Sequence, residues 1–159
     1  MAILNIILLS PPFGLFKKKD NTSQIKNPDN KNQLHATNTL TIRPQAGAAA
    51  LSITSASATG TILIDNGDYI TFDGRAGGAG PSQLTISNTT VTGYAIQLIN
   101  NAIYNTVKYC TVAGVNTGTA SGVIFFSTSV GLTNGNSFNT IDNCDIKDGA
   151  TTPTLRSPN

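Results

Sequence analysis

Tryptophan and glutamate are absent from this chain, histidine occurs once, cysteine twice, and charged residues make up 11% of its 159 positions. Without tryptophan, the ring best suited to stacking on a sugar is missing. The one histidine, His35, lies in a polar stretch and reads as solvated, so no imidazole is placed to complete a metal site with the cysteines. Such charge as there is falls unevenly. Met1 to Ala36 holds five lysines against two aspartates, whereas Thr37 to Ala150 holds four basic residues against six aspartates. The formal net charge of +2 therefore belongs to the N-terminal stretch. The rest offers no basic surface to attract phosphates, which excludes nucleic acid as an expected partner.

Long apolar runs are missing too. The longest, at residues 2–9, is eight residues long, far short of the ~20 that a membrane-spanning helix needs. Its lysines, Lys17-Lys18-Lys19, follow it instead of preceding it, so it makes at most a degenerate signal peptide. The other reading is a leader outside the fold. From Ser10 to Asn38 the composition is polar, with Pro11-Pro12 and Asn27-Pro28-Asp29-Asn30 and almost no aliphatic periodicity. Such a stretch buries too little surface to offset its chain entropy, and residues 1–38 are expected to be a disordered leader.

What the chain does have is a copy of part of itself. Asn105-Thr106-Val107-Lys108-Tyr109-Cys110-Thr111-Val112 returns 34 residues later as Asn139-Thr140-Ile141-Asp142-Asn143-Cys144-Asp145-Ile146. Self-similarity at a fixed period of this size marks a repeat architecture, in which each unit covers the apolar face of its neighbour. The unit is a short apolar-polar-apolar triplet, seen at Leu40-Thr41-Ile42, Leu51-Ser52-Ile53, Ile70-Thr71-Phe72, Leu84-Thr85-Ile86 and Ile96-Gln97-Leu98. Period-two alternation over so few residues reads as short strands with one face buried.

With three strands to a coil, the first strands begin at Leu40, Ile70, Val107 and Ile141, giving coils of 30, 37 and 34 residues. The second strands fall at Leu51, Leu84, Val112 and Ile146, and the third at Ile62, Ile96 and Val123. The nine residues Arg75 to Gln83, rich in glycine, account for the longer step from Ile70 to Leu84 and read as an insert at a turn. Small residues at Ala46-Gly47-Ala48-Ala49-Ala50 suit a tight corner where one coil passes over another. The expected fold is all-β, a parallel β-solenoid over residues 39–150 with about three to three and a half coils. Its hand is expected to be right, as for nearly all crossovers between parallel strands. Residues 151–159 carry no third strand for the last coil and are expected to be an unstructured tail, so the chain reads as a fragment of a longer protein.

These rungs, notably Thr41-Ile42-Arg43-Pro44, Asp68-Tyr69-Ile70-Thr71-Phe72-Asp73-Gly74 and Asn139 to Ile146, resemble those of right-handed parallel β-helix proteins of the pectin-lyase-like superfamily. The low charge and the wealth of Thr, Asn and Gly are similar to those of the large repetitive surface proteins that Bacteroidetes export through type IX secretion. The resemblance implies an extracellular or cell-surface location. Its implied partners are extracellular polysaccharide or adjoining coils of a longer chain, with no cofactor. It implies either a structural or adhesion module or, as the alternative, part of a polysaccharide lyase or glycoside hydrolase, since one fold carries all of these.

The candidate chemistry is thin. Cys110 and Cys144 hold equivalent places in adjacent coils and should lie one above the other, as stacked buried thiols or as a disulfide. Asn105 and Asn139 should stack likewise and bond the backbone at a corner, a structural role. Asn21 and Asn88 open Asn-x-Thr/Ser patterns. The acidic candidates are Asp65, Asp68 and Asp73 with Arg75 near one turn, and Asp142, Asp145 and Asp148 with Lys147 near another. A glycosidase needs two carboxyls about 5 to 9.5 Å apart. These aspartates sit beside Gly or Asn, as turn residues do, and no catalytic, cofactor or metal residue is assigned among them. Tyr69, Phe72, Tyr109, Phe125 and Phe138 are expected as core or rim packing, and Tyr94 and Tyr104 as more exposed. A surface-binding grid of outward Thr-x-Thr is not expected, because Thr39-x-Thr41 has no match at Ile70, Val107 or Ile141.

Overall fold

The computed structural model describes residues 39–118, 122–127 and 135–149, with the backbone of Ser23–Ile25. The apolar run at residues 2–9, the lysine cluster, Asn21, His35 and residues 150–159 lie outside the described residues. Among the described residues the chain forms strands β1 (Ser23–Ile25), β2 (Leu40–Ile42), β3 (Leu51–Ser55), β4 (Gly60–Asp65), β5 (Ile70–Asp73), β6 (Leu84–Asn88), β7 (Tyr94–Ile99), β8 (Thr106–Lys108), β9 (Cys110–Gly114), β10 (Ile124–Phe126), β11 (Thr140–Asp142) and β12 (Asp145–Asp148). Every ladder between them is parallel. The strands fall into three sheets, ordered β2-β5-β8-β11, β3-β6-β9-β12 and β1-β4-β7-β10. Each full coil gives one strand to each sheet in turn, which is the winding of a parallel β-solenoid of about three coils. No helix is long and apolar enough to cross a membrane among the described residues.

One strand comes from the stretch expected to be a disordered leader. Ser23–Ile25 pairs in parallel with β4, Ser23 opposite Ile62, and so adds a strand to the third sheet ahead of Thr39.

The register differs from the sequence expectation by two residues at one step in each of two sheets, β5 to β8 and β6 to β9, while the steps β2 to β5, β8 to β11, β3 to β6 and β9 to β12 pair as expected. Phe72 lies opposite Val107, and Val107 opposite Ile141, so the first-sheet column is Ile42, Phe72, Val107, Ile141. In the second sheet the column is Ile53, Ile86, Val112, Ile146, and Leu51 and Leu84 stand instead in line with Cys110. Shifting an alternating strand by two returns the same face to the core, so triplet patterns alone do not choose between the two alignments. In the third sheet Ile124, and not Val123, lies opposite Ile96. The repeat then measures 30, 35 and 34 residues along the first sheet.

The core is the stack of inward side chains enclosed by the three sheets. Phe72, Ile64, Ile70, Leu84, Ile86, Ile96 and Val112 are essentially inaccessible, as are Asn88 and Asn105. Cys110 occupies the core place that Leu84 holds one coil earlier.

Corners are turned by single residues in the left-handed region. Tyr109 (φ 51°) separates β8 from β9, and Asn143 (φ 49°) does the same for β11 and β12. The nine-residue insert replaces that sharp corner in the preceding coil. Its ends are drawn together by Gln83 N donating to Gly74 O at 2.7 Å, and it lies on the alanine-rich corner below, with Gly77 N donating to Pro44 O at 3.0 Å.

Candidate functional site

The outer face of the first sheet carries the most regular set of polar and aromatic side chains. Thr41, Thr71, Thr106 and Thr140 are paired in register and form one unbroken column. Two residues further along each strand, and thus on the same face, stand Arg43, Asp73, Lys108 and Asp142, whose charges alternate in sign from coil to coil. Two residues earlier stand Tyr69, Tyr104 and Phe138. Their rings stack at 4.9 and 4.8 Å between centroids, with interplanar angles of 7° at both steps. All three aromatic residues have positive φ, between 54° and 57°. The threonine column is therefore flanked by aromatic and charged columns, not by a second threonine column.

In the charged column, Asp73 is the organising group. Its side chain is 5% exposed and takes both Arg75 guanidinium contacts, Nε to Oδ1 at 2.9 Å and Nη2 to Oδ2 at 2.8 Å, with the Arg75 backbone N at 3.1 Å and Lys108 Nζ at 3.7 Å. Burial pushes the Asp73 carboxyl upward, but the side-chain and backbone hydrogen bonds of Arg75 and the two cationic charges overcome this and hold it below the ordinary aspartate value. Arg75 lies over the Tyr109 ring at 4.0 Å from its centroid, so the insert is clamped to the next coil's corner.

The other acidic candidates are held by separate partners. Asp68 precedes β5, beyond the left-handed Tyr69, and Asp73 ends the strand. Asp68 Oδ1 accepts from Ile103 N at 2.9 Å, and burial pushes its carboxyl up against that bond. Asp65 accepts from Asn100 Nδ2 at 2.7 Å. In the outermost described coil, Asp142 accepts from its neighbour Asn143, and Asp145 pairs with Lys147 at 3.0 Å in the open. Among the described residues no three His, Cys, Asp or Glu side chains come together as a metal site.

The asparagines act on backbone. Asn105 Oδ1 accepts from Ile70 N at 3.0 Å and its Nδ2 donates to Gly67 O at 2.8 Å, while Asn139 Oδ1 accepts from Asn105 N at 2.8 Å and its Nδ2 donates to Ala102 O at 2.8 Å. Each amide reaches back to the main chain of the preceding coil, Asn139 meeting its equivalent Asn105 there, and Asn139 Nδ2 also donates to Asn136 O of its own coil at 3.0 Å. Asn88 belongs to the same class at another corner. It is 2% exposed, and its Nδ2 donates to Ser57 O, Thr59 O and Tyr94 O. An amide so enclosed is no glycan acceptor. Its role escaped the sequence reading because Asn-Thr-Thr looks the same in a surface loop.

Cys110 and Cys144 are free thiols, the first buried and the second half-buried. Their sulfurs sit against main-chain oxygens, Cys110 Sγ at 3.3 Å from Lys108 O and Cys144 Sγ at 3.4 Å from both Val107 O and Asp142 O. Of the aromatic residues, Tyr104 is 41% exposed. Tyr94 is half-buried and stacks on Phe125 at 4.5 Å. No family model, curated protein or solved structure matches the chain.

Proposed function

We propose that this chain is a structural or adhesion module of a secreted or cell-surface protein, built as a parallel β-helix of the pectin-lyase-like kind. It contacts glycans along the outer face of the first sheet and carries out no catalysis of its own. The observation that supports this is the outer face itself: columns in register over successive coils, with a hydroxyl and a charge at four rungs and a ring edge at three of them. A repeating face matches a repeating polymer, whereas catalysis needs a few groups converging on one point. The rings in the column turn their faces to each other, so a sugar would meet ring edges and hydroxyls. That favours weak, repeated contact over one deep stacking site.

The test is to offer the protein insoluble polysaccharides and soluble uronic-acid polymers. The expected result is saturable retention, weakened when Thr71 and Thr106 are both changed to Val, with no unsaturated or reducing sugar released. Release of either product overturns the non-catalytic part. Absence of retention on every polymer overturns glycan contact. Calcium is expected to leave the melting temperature unchanged, because among the described residues no three acidic side chains come together.

A further inference from the structure

In the earlier coils the core place of Cys110 and Cys144 is held by a leucine, Leu51 or Leu84, so the winding itself does not require cysteine there. Two successive coils nonetheless carry one, and the register sets them side by side, since Asp145 opposite Thr111 places Cys144 opposite Cys110. We infer that Cys110 and Cys144 form a reversible dithiol–disulfide site, served by low-molecular-mass disulfides, that ties the outermost described coil to the coil beneath it. The inference rests on the coil register and stands whether or not the module binds glycans.

The geometry supports closure at this rung more than at any other. Neighbouring strands lie about 4.8 Å apart, inside the Cα range a disulfide tolerates. Side chains stacked in register keep about that spacing at Cβ as well, roughly 1 Å wider than a disulfide prefers, so one coil must move. The outer coil is free to do so. Among the described residues no strand pairs with the outer edges of β11 or β12. Ile141 and Ile146 are 40% and 49% exposed, where Val107 and Val112 in the coil beneath are 3% and 0%.

The two thiols are also unequal in the way exchange requires. A hydrogen bond from Cys110 holds Cys144 down to about 6, against burial and the nearby Asp142 carboxylate, while the same contact together with burial pushes Cys110 up. Cys144, half-buried, is the one a small reagent can reach. Its thiolate attacks one sulfur of the disulfide RSSR and expels RS⁻, leaving a mixed disulfide on Cys144. Cys110 then gives up its proton and attacks Cys144 Sγ, expelling the second RS⁻. Two protein thiols have lost two electrons and two protons, and RSSR has become two RSH.

The experiment uses the whole chain, reduced, then incubated with oxidised glutathione and read by intact mass, thiol titration and thermal melting. The expected product has lost two hydrogen atoms, has no titratable thiol, carries no glutathione, and melts higher by about 5 °C. In Cys110→Ser the mixed disulfide should instead accumulate on Cys144, which shows the order of attack without depending on the stability of the closed form. Persistence of both thiols, glutathione retained on the wild-type chain, or a disulfide between two chains would each overturn the inference.

Discussion

Two aspartates at the two ends of β5 have opposite electrostatics. At Asp73 the Arg75 and Lys108 contacts lower the carboxyl below its ordinary value of 3.8, whereas at Asp68 burial outweighs the single hydrogen bond from Ile103 N and raises it. The signs follow from which state binds the proton more tightly. Asp73 contributes stability that is complete above the unfolded value and is lost as pH falls through its lower folded value. Asp68 behaves the other way, contributing below the ordinary value and losing that contribution as pH rises through its raised one. Asp73→Asn should therefore cost about 2 kcal/mol at neutral pH, from the loss of charge-assisted hydrogen bonds, with the gap to the parent closing below about pH 4. Asp68→Asn keeps an acceptor for Ile103 N and should be neutral or slightly stabilising at pH 7. Urea unfolding of the two variants at several pH values checks both signs at once.

Corners, more than strands, decide the register. At Gly74, where the insert departs from β5, an added Cβ would collide with the Tyr109 carbonyl and crowd Cys110 Cα, all of it backbone with no side chain to turn aside. Gly80, in the same insert, has open space around it and a φ of +80°. Gly74→Ala should therefore cost about 3 kcal/mol or more, and Gly80→Ala about 1 kcal/mol of backbone strain alone. Equal losses, measured by chemical denaturation, would contradict the close approach of the two coils at this corner.

The strands themselves were legible in the sequence, because alternating Leu, Ile, Val and Phe over short stretches admits little else. The insert was legible too, because it lengthens one coil by a countable amount. The two-residue offset from β5 to β8 and from β6 to β9 was not, since Ile70-Thr71-Phe72 fits Val107-Lys108-Tyr109 as well by pattern as Phe72 fits Val107 by register. A signal that fixes it was present: Thr41-Ile42-Arg43, Thr71-Phe72-Asp73, Thr106-Val107-Lys108 and Thr140-Ile141-Asp142 share a threonine, an apolar residue and a charge in that order. The cysteine and asparagine columns were found because they repeat in kind. The aromatic column was missed because Tyr69 and Phe138 look like core or rim residues and Tyr104 like a separate exposed one, until their shared left-handed backbone stacks them on one another. Of the acidic candidates, Asp68 and Asp73 fall on either side of β5 and Asp145 and Asp148 at the two ends of β12, a separation that spacing in the sequence does not show.

At the scale of the whole molecule, stability is a sum over neighbouring coils, and contacts run between residues about one coil apart in sequence. The two ends differ. Ile42, in the first full coil, is 4% exposed, whereas its column-mate Ile141 is 40% exposed. Solvent therefore reaches the inward column at the far end, and the last coil is held on one side only among the described residues. The most direct test of this winding is the pattern of inter-strand nuclear Overhauser contacts between backbone amide and α protons. The account predicts parallel contacts joining Thr41 to Thr71, Thr71 to Thr106 and Thr106 to Thr140, with Phe72 beside Val107 and Val107 beside Ile141. Antiparallel contacts between strands adjacent in sequence, or parallel contacts displaced by two residues from these pairs, would contradict it.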